Sequence, residues 1–318
     1  MMPLIQNEWI KVFRRPGTYV MIGLLVIMVS IAAAFMKYQH LDDQPSENAG
    51  WKQTLQTEND ALKKQMKQVE QSPINQDEYF KRTIAINEYR IKHNLSPNEA
   101  YTSWSFVNDV SQLIEFVGLF TITIAAGIVA SEFSWGTIKL LLIRPISRAK
   151  ILLSKYISVL LFGVFMLILL FGLSTAIGAI LFGFPENTSP YLNYFAGKVT
   201  EQPIWVHLII FYLFKSINMV MLATMAFMIS AVFRNNSLAI GLSLFLMFTG
   251  GQITSLLAMK YEWAKYILFA NTDLTRYFEG TPVVAGMTLS FSITMLLLYF
   301  CLFLFLAYFV FKKRDIAA

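Results

Sequence analysis

Few residues in this chain are placed to do chemistry, and they are dispersed. Residues 260–283 bring Glu262, Asp273, Arg276 and Glu279 together among Tyr261, Trp263, Tyr266 and Tyr277. Paired carboxylates can act as general acid and base in hydrolysis. No nucleophile or metal-ligating set accompanies these, so no enzyme is expected there. His40, His93 and His207 are scattered, and the single cysteine, Cys301, lies in an apolar run. An intrachain disulfide is therefore impossible, and a chain-encoded metal centre is not expected. ATP binding needs a glycine-rich phosphate cradle that ends in Lys and Ser/Thr. The nearest stretch, "AGKV" at 196–199, lacks both the leading glycine spacing and the hydroxyl.

What remains is charge concentrated in one loop. "SEFSWGTIKLLLIRPISRAK", residues 131–150, opens on Glu132 and ends on Arg144, Arg148 and Lys150 around Pro145. Between them Phe133, Ile138, Leu141 and Leu142 share one helical face, with Trp135 beside it. Pro145 stops that helix, because the residue before proline disfavours the α region. Ser147 is placed to cap the next one. The plain reading is a membrane anchor, with basic residues beside anionic lipid and Trp at the interface. The sharper reading is a short, rigid docking helix that transmits a partner's movement.

Two other polar sites are weighed in the same way. Lys215 and Asn218 stand one helical turn apart in an apolar stretch. They could line a translocation path, since intramembrane charge is often functional, but a lysine near a span end that snorkels to the headgroups is the favoured reading. Gln252 follows Gly250-Gly251, a pair that permits a kink or a close helix approach; packing is favoured over a hinge.

The elements that must position these residues are membrane spans. Charged residues are 14% of the 318, against about 25% in soluble domains, and they fall in blocks. Six stretches reach the length needed to cross a bilayer, near 18–37, 110–131, 151–183, 206–232, 237–259 and 284–311. Lys11, Arg14 and Arg15 precede the first, Lys139, Arg144, Arg148, Lys150 and Lys155 flank the third, and Arg234, Lys312, Lys313 and Arg314 fall on the same side. The positive-inside rule then places both termini in the cytoplasm. A basic remainder in so apolar a chain points to cytoplasmic loops and lipid contact, not to nucleic acid. Residues 1–17 form an amphipathic lead-in, with Leu4, Ile5, Trp9, Val12 and Phe13 on one face.

Residues 38–109 form an acidic outer insert. Leu55, Leu62 and Val69 repeat at seven, with Trp51 and Met66 beside them, which predicts an amphipathic helix. A second helix follows from about 77 to 93. The composition shows no pocket chemistry, so a stiffening hairpin is favoured over a substrate-sensing cap. The expected fold is an all-α polytopic membrane protein.

"SEFSWGTIKLLLIRPISRAKILLSKYI" resembles the segment that links the second and third spans of ABC-2-type transporter permeases. The resemblance rests on Glu132, Gly136-Thr137, the leucine run, Pro145, Ser147-Arg148 and Lys155. It is specific only over 131–157; elsewhere the likeness is one of layout. It implies a non-catalytic permease subunit in a bacterial plasma membrane that exports an amphipathic substrate such as an antimicrobial peptide or antibiotic. It also implies a partner ATPase, in two copies, that holds ATP and magnesium, and a second permease copy or paralogue. Residues 132–150 would be the coupling helix, with Glu132, Phe133, Trp135, Gly136, Thr137, Lys139, Arg144, Pro145 and Arg148 contacting the ATPase. Arg234 and Asn235 would make a smaller second contact. Loop 260–283 would form short helices dipping back into the outer leaflet. Two other classes remain open. A secondary transporter predicts ionisable groups near span centres or inverted repeats, and a membrane sensor would need no coupling element.

Overall fold

The computed structural model describes residues 1–40, 50–69, 77–97, 101–137, 146–184, 190–195, 197–233, 235–279, 281–284 and 286–313. Six of its helices are long and apolar enough to cross a membrane. A short helix α1 (Met2–Phe13) leads into α2 (Pro16–Gln39). Arg15 between them is extended, as a residue before proline should be. The Thr18 hydroxyl donates to the Val12 carbonyl at 2.5 Å and closes the junction.

Helices α3 (Trp51–Val69) and α4 (Asp77–His93) pair as an arm. Leu55, Phe80 and Ile84 are buried between them, as is an amide pair, with Asn87 Nδ2 donating to Asn59 Oδ1 at 3.0 Å. Leu62 and Met66 are half-buried on the same stripe, while Tyr79 points outward.

Helix α5 (Ser103–Val110) starts on a capping box in which the Thr102 hydroxyl accepts from Ser105 N. One 3-10 turn joins it to α6 (Ile114–Ser134). The second span thus begins at Ser103, several residues before the position at which the apolar run starts, because α5 packs on α7 (Arg148–Phe182).

A hairpin of β1 (Tyr191–Phe195) and β2 (Lys198–Gln202), paired Tyr191 to Gln202, leads into α8 (Ile204–Val232). The all-α expectation omitted this hairpin, because ten residues of mixed polarity carry little periodic signal. Helix α9 (Asn236–Ala258) follows, capped by Asn235, whose side chain accepts from Leu238 N at 3.1 Å. Loop 260–283 folds as a 3-10 turn (Glu262–Tyr266) and two single turns, α10 (Leu268–Asn271) and α11 (Arg276–Glu279). The last span is α12 (Leu289–Lys313).

The core is α6. It packs on α7, α8 and α9, and most of it is buried, whereas most of α2, α9 and α12 faces outward. Small residues permit this. Ala126 and Ala130 are fully buried, and Ser230 of α8 accepts the backbone N–H groups of Val129 and Ala130 at 3.2 and 3.0 Å. Ser174 and Gly178 belong to a contact within the chain, since a Cβ on Gly178 would stand 3.1 Å from the Phe106 ring and 3.2 Å from the Ser103 carbonyl. Helix α9 runs unbroken past Gly250-Gly251, and the Phe269 ring lies against Gly250. Gly250 therefore serves packing, while a Cβ on Gly251 would meet nothing within 4 Å.

Helix α1 and the start of α7 lie beside the end of α12, where an Arg148 terminal nitrogen donates to the Lys312 carbonyl at 3.0 Å, and the α3–α4 arm packs on the β1–β2 hairpin at the opposite end of the helices.

Candidate functional site

At the termini end, four charged side chains meet at the root of the basic loop. The buried face of α1 carries Ile5, Trp9 and Val12, and Glu8 falls within it at helical spacing. Lys155 lies two turns into α7, and Glu132 lies at the last turn of α6. Lys155 is 1% exposed, and its Nζ donates to Glu8 Oε2 at 2.7 Å and to Glu132 Oε1 at 2.9 Å. Lys11 Nζ closes the group, 2.8 Å from Glu8 Oε1 and 3.2 Å from Glu132 Oε1. Two carboxylates thus face two ammonium groups, and the cluster is neutral as a whole.

Burial by itself would lower the pKa of Lys11, but hydrogen bonding and charge from Glu8, with Glu132, outweigh it and hold the group above its ordinary value. Apolar contacts seat α1 beside the cluster. Phe13 meets Phe165 edge-on at 5.3 Å, and Trp9 meets the same ring at 6.2 Å. The Ser158 hydroxyl reaches the Ile5 carbonyl at 3.4 Å. A charge-assisted bond in a low-dielectric site fixes geometry strongly when every member is satisfied. The cluster therefore ties α1, α6 and α7 into one mechanical unit.

The loop hangs from this unit. Thr137 donates from its hydroxyl to Glu132 Oε2, and Gly136 turns the chain at φ +72°, a conformation that L side chains rarely adopt. Trp135 is 66% exposed, with the Arg15 guanidinium 5.7 Å from its ring centre. Phe133 lies edge-on to Phe311 of α12 at 6.4 Å. Ser147 sits at the N-cap position of α7 but makes no side-chain cap bond, contrary to expectation. Lys139, Arg144, Pro145 and Arg234 lie outside the described residues.

Glu132, expected among the residues that touch an outside partner, is 7% exposed, and its oxygens are occupied by Lys155, Lys11 and Thr137. It anchors the loop. Glu8 is the member that sequence reasoning missed. The signal was there, since an acidic residue stands inside the apolar face of 4, 5, 9, 12 and 13.

The expected path residues do not converge. Lys215 and Asn218 are half-buried on α8, and the Lys215 ammonium lies 5.6 Å from the Phe211 ring centre, while Gln252 is exposed on α9. In loop 260–283 Asp273 accepts from Thr275 and approaches Arg276 at 3.5 Å, which closes a local turn. Asn271 of the same loop donates to the Lys265 and Ile267 carbonyls and accepts from Ser292 at 2.6 Å. Among the described residues no group of His, Cys, Asp or Glu is arranged to hold a metal ion.

Six apolar spans, one of them a largely buried central helix, define a multi-pass membrane protein. Residues 78–317, from α4 through the last span, match the family model described as a protein of unknown function, DUF2705, and the chain belongs to that family. An uncharacterized protein, YhcI of Bacillus subtilis (strain 168), is 52% identical over 319 residues and is aligned along the whole of both chains. An uncharacterized membrane protein of the same organism, YdbK, is 33% identical over 200 residues, covering 62% of this chain and 76% of its own.

Proposed function

We propose that the chain is the membrane-spanning subunit of an ATP-driven exporter of the ABC-2 type. The observation that carries this reading is the cluster at the root of the basic loop. A push on the loop reaches Glu132 through Thr137, and from Glu132 it passes to α1 and α7 together through Lys155 and Lys11. A loop that only anchored the chain to lipid would need no such rigid tie. In this reading a separate ATPase, in two copies, binds ATP and magnesium and moves the loop. The chain works with a second copy or a paralogue, in contact with membrane lipid, and no nucleic acid takes part.

The same reading sets the orientation. The termini end, with Lys11, Arg14, Arg15, Arg148 and Lys312, faces the cytoplasm of a bacterial cell. Helix α1 lies along the inner membrane surface, the α3–α4 arm stands outside, and the exported substrate is amphipathic, such as an antimicrobial peptide or antibiotic.

The test is purification of the full chain from its own host, identification of co-purifying chains and an ATPase assay, with Trp135→Ala and Arg148→Ala beside the unmodified protein. Both changes are peripheral to the buried cluster, so the fold survives. A co-purifying ATPase whose activity or binding falls in the variants supports the exporter. A chain that purifies alone, with variants that behave like the unmodified protein, sinks it.

A membrane sensor is the second reading, favoured by cavities at the arm end that are described below. The secondary transporter is less favoured, since the buried Glu8, Glu132 and Lys155 gather at one end of the bundle and not near span centres.

A further inference from the structure

At the arm end, Arg82 of α4 sits between two cavities. One of its terminal nitrogens donates to the Tyr191 hydroxyl at 3.3 Å, while its Nε is buried without a hydrogen-bond partner. A guanidinium carries five N–H donors and stays charged at any ordinary pH. Among the described residues no carboxylate pairs with it. The larger cavity, about 500 Å³, is bounded by His40, Thr83, Arg90 and Tyr101. The smaller, about 320 Å³, is walled by His207, Ile210, Phe211, Phe214 and Phe278. Arg82 and Tyr191 belong to both, and neither cavity has a carboxylate in its described lining.

The site is built from segments far apart in the chain. The Tyr191 ring of the hairpin stacks on His207 of α8 with centroids 3.4 Å apart, and Phe214 meets Phe278 of α11 at 4.9 Å. Tyr89 of α4 donates to Glu201 of β2 at 3.2 Å, which holds the arm against the hairpin. A buried donor without a partner costs about 1–3 kcal/mol, more when charged. Groups kept in that state call for an explanation, and a missing bound ion is one.

We propose that these two cavities form one binding site for an anionic amphiphile, with a phosphate headgroup accepting from Arg82 in the larger cavity and an apolar tail in the aromatic slot along α8. Phosphate suits the polar half because the Arg82 guanidinium stays charged and its planar fork of donors matches phosphate oxygens. The slot suits a tail because Ile210, Phe211, Phe214 and Phe278 line its α8 side, with Asn193, Gln202 and Thr275 among the polar members of its wall, and because α8 is a span, so its outer end lies at the depth where lipid headgroups meet acyl chains. Both volumes fall in the range of about 300–1,000 Å³ typical of small-molecule sites. The proposal stands on the cavities alone and holds whether or not the chain couples to an ATPase.

The test uses the full chain purified in a neutral maltoside detergent, with lysophosphatidylglycerol as the probe against lysophosphatidylcholine and inorganic phosphate. Binding is read by native mass spectrometry and by titration. Lysophosphatidylglycerol should bind saturably and at least about tenfold more tightly than the zwitterionic lipid, with millimolar phosphate failing to displace it. Arg82→Gln should weaken binding at least about tenfold, in line with the loss of one charged hydrogen bond. Arg82→Lys should weaken it less, and Phe278→Ala should weaken the lipid without creating phosphate binding. Equal affinity for the two lipids, or an unchanged Arg82→Gln variant, overturns the proposal. Displacement by phosphate alone overturns it in favour of a soluble anion site. Should Arg82→Gln fail to fold by circular dichroism, the contrast between the lipids on the unmodified protein decides the matter.

Discussion

Replacing Lys155 by Met is the most informative single change to the buried cluster. Met conserves the length and apolar stem of the side chain, so it removes the charge while leaving the packing. Lys155 is 1% exposed and bonds both carboxylates. Without it, Glu8 and Glu132 share only Lys11, whose side chain is 37% exposed, and the cluster carries an uncompensated negative charge. Removal of one partner from a buried ion pair costs about 3–5 kcal/mol. At about 2–4 °C per kcal/mol for a chain of this order of size, the melting midpoint should fall by roughly 6–20 °C. The assay is a fluorescence melt of the purified protein in detergent. The decisive comparison is the double variant Lys155→Met/Glu132→Gln. It leaves Glu8 and Lys11 as a balanced pair and should melt above the single Lys155→Met variant. A single variant as stable as the unmodified protein, or a double variant that loses the sum of the two single losses, would refute the argument that charge balance holds α1, α6 and α7 together.

Three further outcomes are expected. Gly250→Ala should destabilise by about 1–3 kcal/mol through overpacking, because the new Cβ would fall 2.3 Å from the Phe269 ring, while Gly251→Ala, with nothing within 4 Å, should be near neutral; melts of the two variants side by side check this. Asn87→Leu should leave the Asn59 amide buried and unpaired, at a cost of about 1–3 kcal/mol, and the double change Asn59→Leu/Asn87→Leu should recover most of it; limited proteolysis of the α3–α4 arm reports both. The Lys11 pKa is raised on folding, so its contribution is complete below the ordinary value of 10.5 and is lost as the pH rises through the folded value; melts should be flat with respect to this group from pH 7 to 9, then fall at higher pH, and Lys11→Met should remove that part of the alkaline loss.

The membrane class and the number of spans were determined by the sequence alone, because an apolar run of bilayer length is a local property of composition. The amphipathic face of residues 4–13 and the heptad stripe of residues 55–66 were legible for the same reason, since each repeats at helical spacing. The start of the second span was not, because α5 belongs to it through packing on α7 and through the Thr102 cap, and not through hydropathy. The hairpin at 191–202 was equally hidden, being too short and too mixed in polarity to show a period. Glu132 and Lys155 could be singled out from their setting, but a list of neighbours in sequence cannot show that they share an ion-pair cluster with Glu8, 124 and 147 residues away along the chain. The same is true of Arg82, Tyr191 and His207, which lie on a helix, a strand and a span with no common spacing. Chain order fixes which residues are apolar and which segments cross. Only the crossing of the helices decides which charges meet an opposite charge and which, like Arg82, meet none among the described residues.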